Sequence, residues 1–256
     1  MNITLRDQTV IVLGAARGIG RAVADAFHDE SCRVVGFDQT ADHDSPTPYD
    51  LVLGDVTSAQ DVASLVGVAG EVDHVVFAVG IGSGTFGFPF WNVDPSAWAR
   101  VLEINLVGAA RIAGAFAPAM AQRSRGSLLF FTSVAGQIGS QTDPPYSASK
   151  AGLINFMQCV AKDLAPHGVR ANAIAPGMVK TSLNRSVWQW GQQRLPESER
   201  VDYETWAEEK IRKVSPLGRW QEPGEFASMA IYLASDHARN ITGQTINLDG
   251  GWVMHS

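Results

Sequence analysis

The run TVIVLGAARGIGRAVADAF, residues 9–27, changes its periodicity in the middle. Thr9 to Leu13 is a short apolar stretch rich in β-branched residues. Ile19, Ala22, Val23, Ala26 and Phe27 then recur at helical spacing, as one apolar face of an amphipathic helix. Gly14, Gly18 and Gly20 stand between the two. A strand that turns through glycines into a helix leaves few folds open. The glycines permit a tight turn, let backbone N–H groups approach a pyrophosphate, and let the helix pack close to the sheet.

The alternation continues along the chain. RVVGFD (33–38), DLVLGDV (50–56), DHVVFAVG (73–80), SLLFFTS (127–133), VRANAIAPG (169–177) and QTINLDGG (244–251) read as six further strands. Helical patterns lie between most of them, notably over 94–121, 144–165 and 223–235. Strands that are apolar on both faces and alternate with helices predict an α/β fold, doubly wound, with a seven-stranded parallel sheet and helices on both faces. No repeat or linker divides the 256 residues, so one domain over 1–256 is expected.

Two segments are less regular. Residues 39–49, QTADHDSPTPY, carry two prolines, and the Asp42-His43-Asp44 cluster reads as a solvated loop, since no second ligand cluster accompanies it. No metal is expected. Residues 178–220 hold Trp188, Trp190, Trp206 and Trp220 after the end of a strand. Helical packing accounts for some of these indoles, and their concentration also suits a substrate loop or lid over an apolar ligand.

Charge narrows the partners. A net charge of -6 and a pI near 5.5 argue against nucleic acid or an anionic membrane. Cys32 and Cys159 match no metal or redox spacing. MNITLRDQTV lacks the regions of a signal peptide, and the best apolar stretch, 106–120, is interrupted by Arg111. A cytoplasmic protein is expected.

Ligands of open α/β sheets bind outside the carboxyl ends of the strands. Asp38 ends the second strand, where a carboxylate accepts both adenosine ribose hydroxyls and repels a 2′-phosphate. NAD is therefore expected over NADP, although Arg17 in the glycine loop would suit a 2′-phosphate. Asp55 and Val56 follow the third strand; Asp55 reads either as an adenine contact or as a carboxylate at a helix N-terminus. Ser133 ends the fifth strand. The next helix starts near Asp143, an N-cap candidate, with prolines in its first turn. Tyr146 and Lys150, i and i+4, share one face of that helix. Asn105 lies on the apolar stripe of helix 94–121 with Trp98, Val101, Leu102, Ile112 and Phe116. A buried amide needs partners: neighbouring backbone, or a water chain leading to Lys150.

Together the GxxxGxG run, Asn105, Ser133, YSASK (146–150) and APGMVKT (175–181) resemble the short-chain dehydrogenase/reductases. The resemblance runs from the first strand to the DGG at 249–251. It implies a single-domain Rossmann fold, with Tyr146 as general acid/base and Ser133 orienting the substrate oxygen. Lys150 would hold the nicotinamide ribose and lower the phenol's pKa, with Asn105 supporting a proton relay. Cofactor contacts would fall at Gly14, Arg17, Gly18, Ile19, Gly20, Asp38, Asp55, Val56, Ala78, Gly80, Tyr146, Lys150, Pro176, Gly177, Val179 and Thr181, with Ile174 to Gly177 and Thr181 lining the nicotinamide pocket. Two positions depart from the family: Ala78-Val79-Gly80 replaces the usual Asn-Ala-Gly, and Leu13 stands where threonine is frequent.

The expected function is NAD-dependent interconversion of a secondary alcohol and a ketone by hydride transfer. The rivals are an NADPH-dependent carbonyl or 3-oxoacyl reductase, and a non-catalytic dinucleotide sensor, which would need none of Asn105, Ser133, Tyr146 and Lys150. Substrate choice would rest on 178–220, Gly82 to Phe90, Ala135 to Asp143 and Trp252. The resemblance also implies a homotetramer, or a homodimer, through helices 94–121 and 144–165 and the C-terminal segment.

Overall fold

The computed structural model describes residues 3–42, 44–85, 90–140 and 142–254, apart from the side chains of residues 182 and 183. Seven parallel strands form one sheet: β1 (Thr9–Leu13), β2 (Arg33–Asp38), β3 (Asp50–Leu53), β4 (His74–Phe77), β5 (Ser127–Phe131), β6 (Arg170–Pro176) and β7 (Thr245–Leu248). Their order across the sheet is β3-β2-β1-β4-β5-β6-β7. The order reverses between β1 and β4, so a crevice opens at their carboxyl ends, as in doubly wound folds.

Alternation along the strands builds two cores. Ile11, Leu13, Val35, Phe37, Val75, Phe77, Leu128 and Phe130 face one side. Val10, Val12, Val34, Val76, Leu129 and Phe131 face the other. Helices α2 (Ala59–Ala69), α4 (Gly108–Arg123) and α6 (Pro144–Leu164) supply the apolar stripes that cover the first. Helices α1 (Gly18–Asp29) and α9 (Pro223–Ala234) cover the second with Val23, Phe27, Phe226 and Ile231. This is the single-domain Rossmann architecture that the pattern predicts.

Several boundaries differ from the reading above. Strand β5 ends at Phe131, so Ser133 lies two residues beyond it. The helix expected over 94–121 runs as α3 (Ser96–Leu102), a π-helical turn (Glu103–Val107) and α4. The amide of Gly108 reaches back five residues to the carbonyl of Glu103. By length and composition residues 96–123 would be apolar enough to cross a membrane, yet Ile104, Ala109, Ile112, Phe116 and Met120 are buried in the first core. A short helix, α5 (Ala135–Ile138), precedes α6.

The segment 178–220 is largely helical. It forms α7 (Ser182–Gln192) and α8 (Tyr203–Val214). Trp188 meets Tyr203 edge-on at 5.7 Å, Tyr203 stacks on Trp206 at 5.9 Å, and Trp188 Nε1 donates to the carbonyl of Val201. Arg194 lies over Trp190, and Lys180 over Trp220. Trp188 thus joins the two helices, and the other three indoles are each covered by a neighbouring ring or cation. The loop before β3 is anchored by Arg21, which donates to the carbonyls of Ser45 and Pro46. His43 lies outside the described residues.

Phe130 is almost fully enclosed and meets Phe156 of α6 edge-on. Phe130→Ala should lower the unfolding free energy by about 3–5 kcal/mol. Chemical denaturation checks this, and a loss under ~1 kcal/mol would show that this core relaxes around the cavity.

Candidate active site

The carboxyl edge of the sheet gathers residues far apart in the chain. Gly14 follows β1 with φ +85°, and a Cβ there would stand 3.1 Å from the backbone carbon of Ala78, across the crevice. Gly18 has φ +62° with open space beside it. A Cβ on Gly20 would run into the carbonyl oxygen of Gly14. The turn is therefore bare backbone by necessity. Side chains close the N-termini of other helices: Ser58 caps α2, Asp143 α6, Thr181 α7 and Asp202 α8. At α1 the exposed Arg17 stands at the N-cap without a side-chain bond, and no acidic residue occupies the first turn. Its leading amides thus lack a side-chain acceptor, and this cradle fits the pyrophosphate of a dinucleotide. Ile19, half-buried, packs against the second core.

Asp38 ends β2 beside this turn. Its Oδ2 accepts from Ala16 N at 3.0 Å and its Oδ1 from Gln39 N at 2.8 Å. Asp55 accepts from Thr57 N and Oγ1, and from Gln39 Nε2 at 2.7 Å. Burial opposes its charge, but these bonds outweigh burial and hold the carboxyl below its ordinary range. Because Ser58 is the cap of α2, Asp55 instead shapes the turn before it and joins that turn to β2. Val56 is buried, and its carbonyl accepts from Arg111.

The chain beyond β4 forms the opposite wall. Ala78 lies over Gly20, whose Cβ would stand 3.3 Å from the alanine methyl. A Cβ on Gly80 would lie 3.0 Å from Lys150 Nζ. Asn105, fully enclosed in the π-turn, clasps the next residue: Ile81 N donates to its Oδ1 and its Nδ2 donates to Ile81 O, both at 2.9 Å. Its Nδ2 also donates to Ser149 Oγ at 3.0 Å. Neighbouring backbone, one of the two partners weighed for this amide, is present, together with the hydroxyl of Ser149. A π-turn at such a place re-aims one side chain within an otherwise regular helix.

Ser133 Oγ accepts from Ala135 N at 3.1 Å. Lys150 Nζ donates to the carbonyl of Phe131 at 2.8 Å and sits 5.6 Å from the centre of the Tyr146 ring. Hydroxyl, phenol and amine thus meet at one edge. The electrostatics differ from the expectation that the ammonium lowers the phenol. Burial pushes Tyr146 up to about 12, against a lowering bond with Ser133 and with a further rise from Asp143. Burial also brings Lys150 down to about 7. Burial thus weakens the positive field that Lys150 lends the phenol.

Beyond β6, the carbonyl of Pro176 accepts from Val134 N. A Cβ on Gly177 would stand 2.6 Å from Asp249 Cα. Gln221 Oε1 accepts from Met178 N at 2.6 Å, and Val179 pairs with Gln221. The two stems of 178–220 therefore meet. Thr181 Oγ1 accepts from Asn184 N as the cap of α7.

The structure brings together Asn105, Ser133, Tyr146 and Lys150, and sets the glycine turn, Asp38, Asp55, Ala78, Gly80 and 176–181 along the same edge. Sequence reasoning missed Ser149, the carbonyl of Phe131, Gln221, and the bond from Ser83 N to Asp143. None has a pattern in sequence, since each is defined by a partner supplied by folding. Among the described residues no group of three or more His, Cys, Asp or Glu gathers as a metal site. Of the stretches expected to set substrate choice, residues 86–89 and 141 lie outside the described residues.

A family profile described as enoyl-(acyl carrier protein) reductase matches residues 14–253. A 3-oxoacyl-(acyl-carrier-protein) reductase of Thermotoga maritima is 31% identical over 263 residues, covering 98% of this chain and 99% of the relative. An acetoacetyl-CoA reductase of Synechocystis is 31% identical, with 98% of each covered. The chain belongs to the short-chain dehydrogenase/reductase family. The ligand-free structure of aldohexose dehydrogenase from Thermoplasma acidophilum superposes on this short-chain dehydrogenase/reductase with a TM-score of 0.85 at 28% identity, covering 100% of this chain and 98% of the other. Membership makes the protein an NAD(P)-dependent oxidoreductase of alcohol and ketone substrates.

The buried amine carries a pH dependence. Unfolded, Lys150 titrates near 10.5, and in the fold near 7, so between those values the unfolded chain binds the extra proton. Stability from this site is full above about 10.5 and is lost as pH falls toward 7. Wild type should therefore gain stability relative to Lys150→Met as pH rises through that window. Denaturation curves with equal pH slopes in both proteins would contradict the assignment.

Proposed function

We propose that this short-chain dehydrogenase/reductase reduces a ketone carbonyl of the 3-oxoacyl thioester kind to its secondary alcohol, with NADH as donor. The observation that carries the reading is the placement of the Tyr146 phenol beside Ser133 and Lys150 at the carboxyl edge of the sheet, where it can give a proton to a carbonyl oxygen. The relatives lend support: reductases of 3-oxoacyl-(acyl-carrier-protein) and of acetoacetyl-CoA match over nearly the whole chain. The sequence reading, interconversion of a secondary alcohol and a ketone with NAD, left the direction open, and alcohol oxidation becomes the second reading.

The bound nicotinamide supplies the hydride. The amides of Gly14 to Gly20 and the open end of α1 would hold its pyrophosphate. Asp38 keeps acceptor capacity beyond the two amides it serves, for ribose hydroxyls, and its charge opposes a 2′-phosphate. Ser133 would orient the carbonyl oxygen and Tyr146 would protonate it as the carbon is reduced, leaving a phenolate that solvent recharges. Lys150, anchored on Phe131, would hold the nicotinamide ribose. Asn105 would act by fixing Ile81, and so the wall against which Lys150 lies. The segment 178–220 would close over the substrate, its stems joined at Gln221.

A second reading, NAD-linked oxidation of a cyclic or polyol-like alcohol, is favoured by the superposition on an aldohexose dehydrogenase. We also propose a cytoplasmic protein that forms a homotetramer, or a homodimer, through helices 94–121 and 144–165 and the C-terminal segment; the exposed apolar side chain of Val107 on the first of these supports the packing. Light scattering at micromolar concentration tests it, and a monomer would refute it.

Acetoacetyl-CoA reduction, followed by NADH absorbance, tests the main reading. Tyr146→Phe should lower the rate at least ~100-fold while NADH still quenches tryptophan fluorescence. Asp38→Ser should raise the NADPH/NADH rate ratio by about tenfold or more, by removing a charge that repels the 2′-phosphate. Unchanged turnover in Tyr146→Phe would remove the acid/base role. Turnover of aldoses with NAD, but none of acetoacetyl-CoA, would favour the second reading.

A further inference from the structure

Asp143 does more than begin a helix. Its Oδ1 accepts from Tyr146 N at 3.2 Å, and its backbone carbonyl accepts from Ser147 N. Its Oδ2 accepts from Ser83 N at 2.8 Å, sixty positions away in the chain. The side chain is only 5% exposed. Ser83 belongs to the wall beyond β4, two residues after the Ile81 that Asn105 clasps and three after the Gly80 that faces Lys150. That wall is thus held twice, from the π-turn by an amide and from the start of α6 by a carboxylate.

The second hold carries charge. A carboxylate shut away from solvent disfavours a second negative charge nearby, and the phenolate of Tyr146 would be that charge. Other groups close to the phenol are Ser133 and Lys150. On the helices packed against α6, Glu103 and Arg111 pair with one another. Arg170, at the start of β6, donates to carbonyls at the end of α9.

We infer that Asp143 is a positioning residue: it fixes the first turn of α6 against the wall beyond β4, and its charge raises the pH at which Tyr146 gives up its proton. The inference deepens the acid/base reading of Tyr146 and rests on it only for its catalytic consequence. The carboxylate extends into alkaline pH the range over which the phenol stays protonated and able to donate. The rise that Asp143 gives the phenol agrees with the geometry.

The test needs neither substrate nor cofactor. The chain has four tyrosines, so the ultraviolet titration of wild type minus that of Tyr146→Phe isolates one phenol. In Asp143→Asn and Asp143→Ser, each measured against its own Tyr146→Phe partner, that phenol should titrate about 0.5–1 pH unit lower. Asp143→Ser keeps an acceptor for the helix cap, so a folded protein is retained if the asparagine variant is lost. A midpoint within ~0.2 of wild type in the folded variant would overturn the inference, since a purely structural cap would leave it there. With acetoacetyl-CoA and NADH, the alkaline fall of kcat/KM should move by the same amount. If the phenol moves and no turnover is found with any carbonyl, the inference stands and the functional reading fails.

Discussion

The site depends on how closely the backbone leaving β1 approaches the backbone leaving β4. A side chain on Gly14 would stand 3.1 Å from Ala78, and one on Gly20 would overlap Gly14 itself. With no side chain between them, α1 can begin right at the crevice with its first amides turned toward the space where the sheet order reverses. The wall beyond β4 then lies within reach of two other elements, and both seize it. Asn105 takes the amide and carbonyl of Ile81, and Asp143 takes the amide of Ser83. Alanine at position 78, where the family usually has asparagine, suits this arrangement because its methyl packs over Gly20.

The same closeness sets the electrostatics. Lys150 lies against Gly80 with its amine on the carbonyl of Phe131, where there is no room for water-like solvation. Its proton becomes easy to lose, and the neighbouring phenol becomes hard to ionise. Both shifts move the groups toward their neutral forms, which lowers the cost of burying charge. A positive nicotinamide would pull the phenol the other way. On the proposed reading the phenol would give its proton during reduction, and the oxidised cofactor would favour its accepting one.

Much of this was legible because it is local. Strands apolar on both faces, helical spacing after the glycines, and Tyr146 and Lys150 one turn apart follow from chain periodicity alone. Asp143 was readable as a cap because capping acts over three residues. Its second bond was not, since Ser83 is brought to it only by the crossing of β4 and β5. The π-turn at Glu103–Val107 leaves the apolar stripe almost unchanged and so has no signature. The indoles of 178–220 were readable both as helical packing and as a ligand surface, because composition cannot distinguish a ring that packs on Tyr203 from one that meets a substrate. The contribution of burial to the phenol was not legible, since residue types show a lysine nearby but not that both groups are enclosed.

The central claim is that a carbonyl carbon held by Ser133 and Tyr146 receives a hydride at this edge. Mass analysis of the product formed from acetoacetyl-CoA and NADH deuterated at both C4 positions tests it most directly. The account predicts a 3-hydroxyacyl product heavier by one deuterium, bound to carbon and retained in ordinary water. A product without the label, or no product from a folded enzyme that binds NADH, would contradict it.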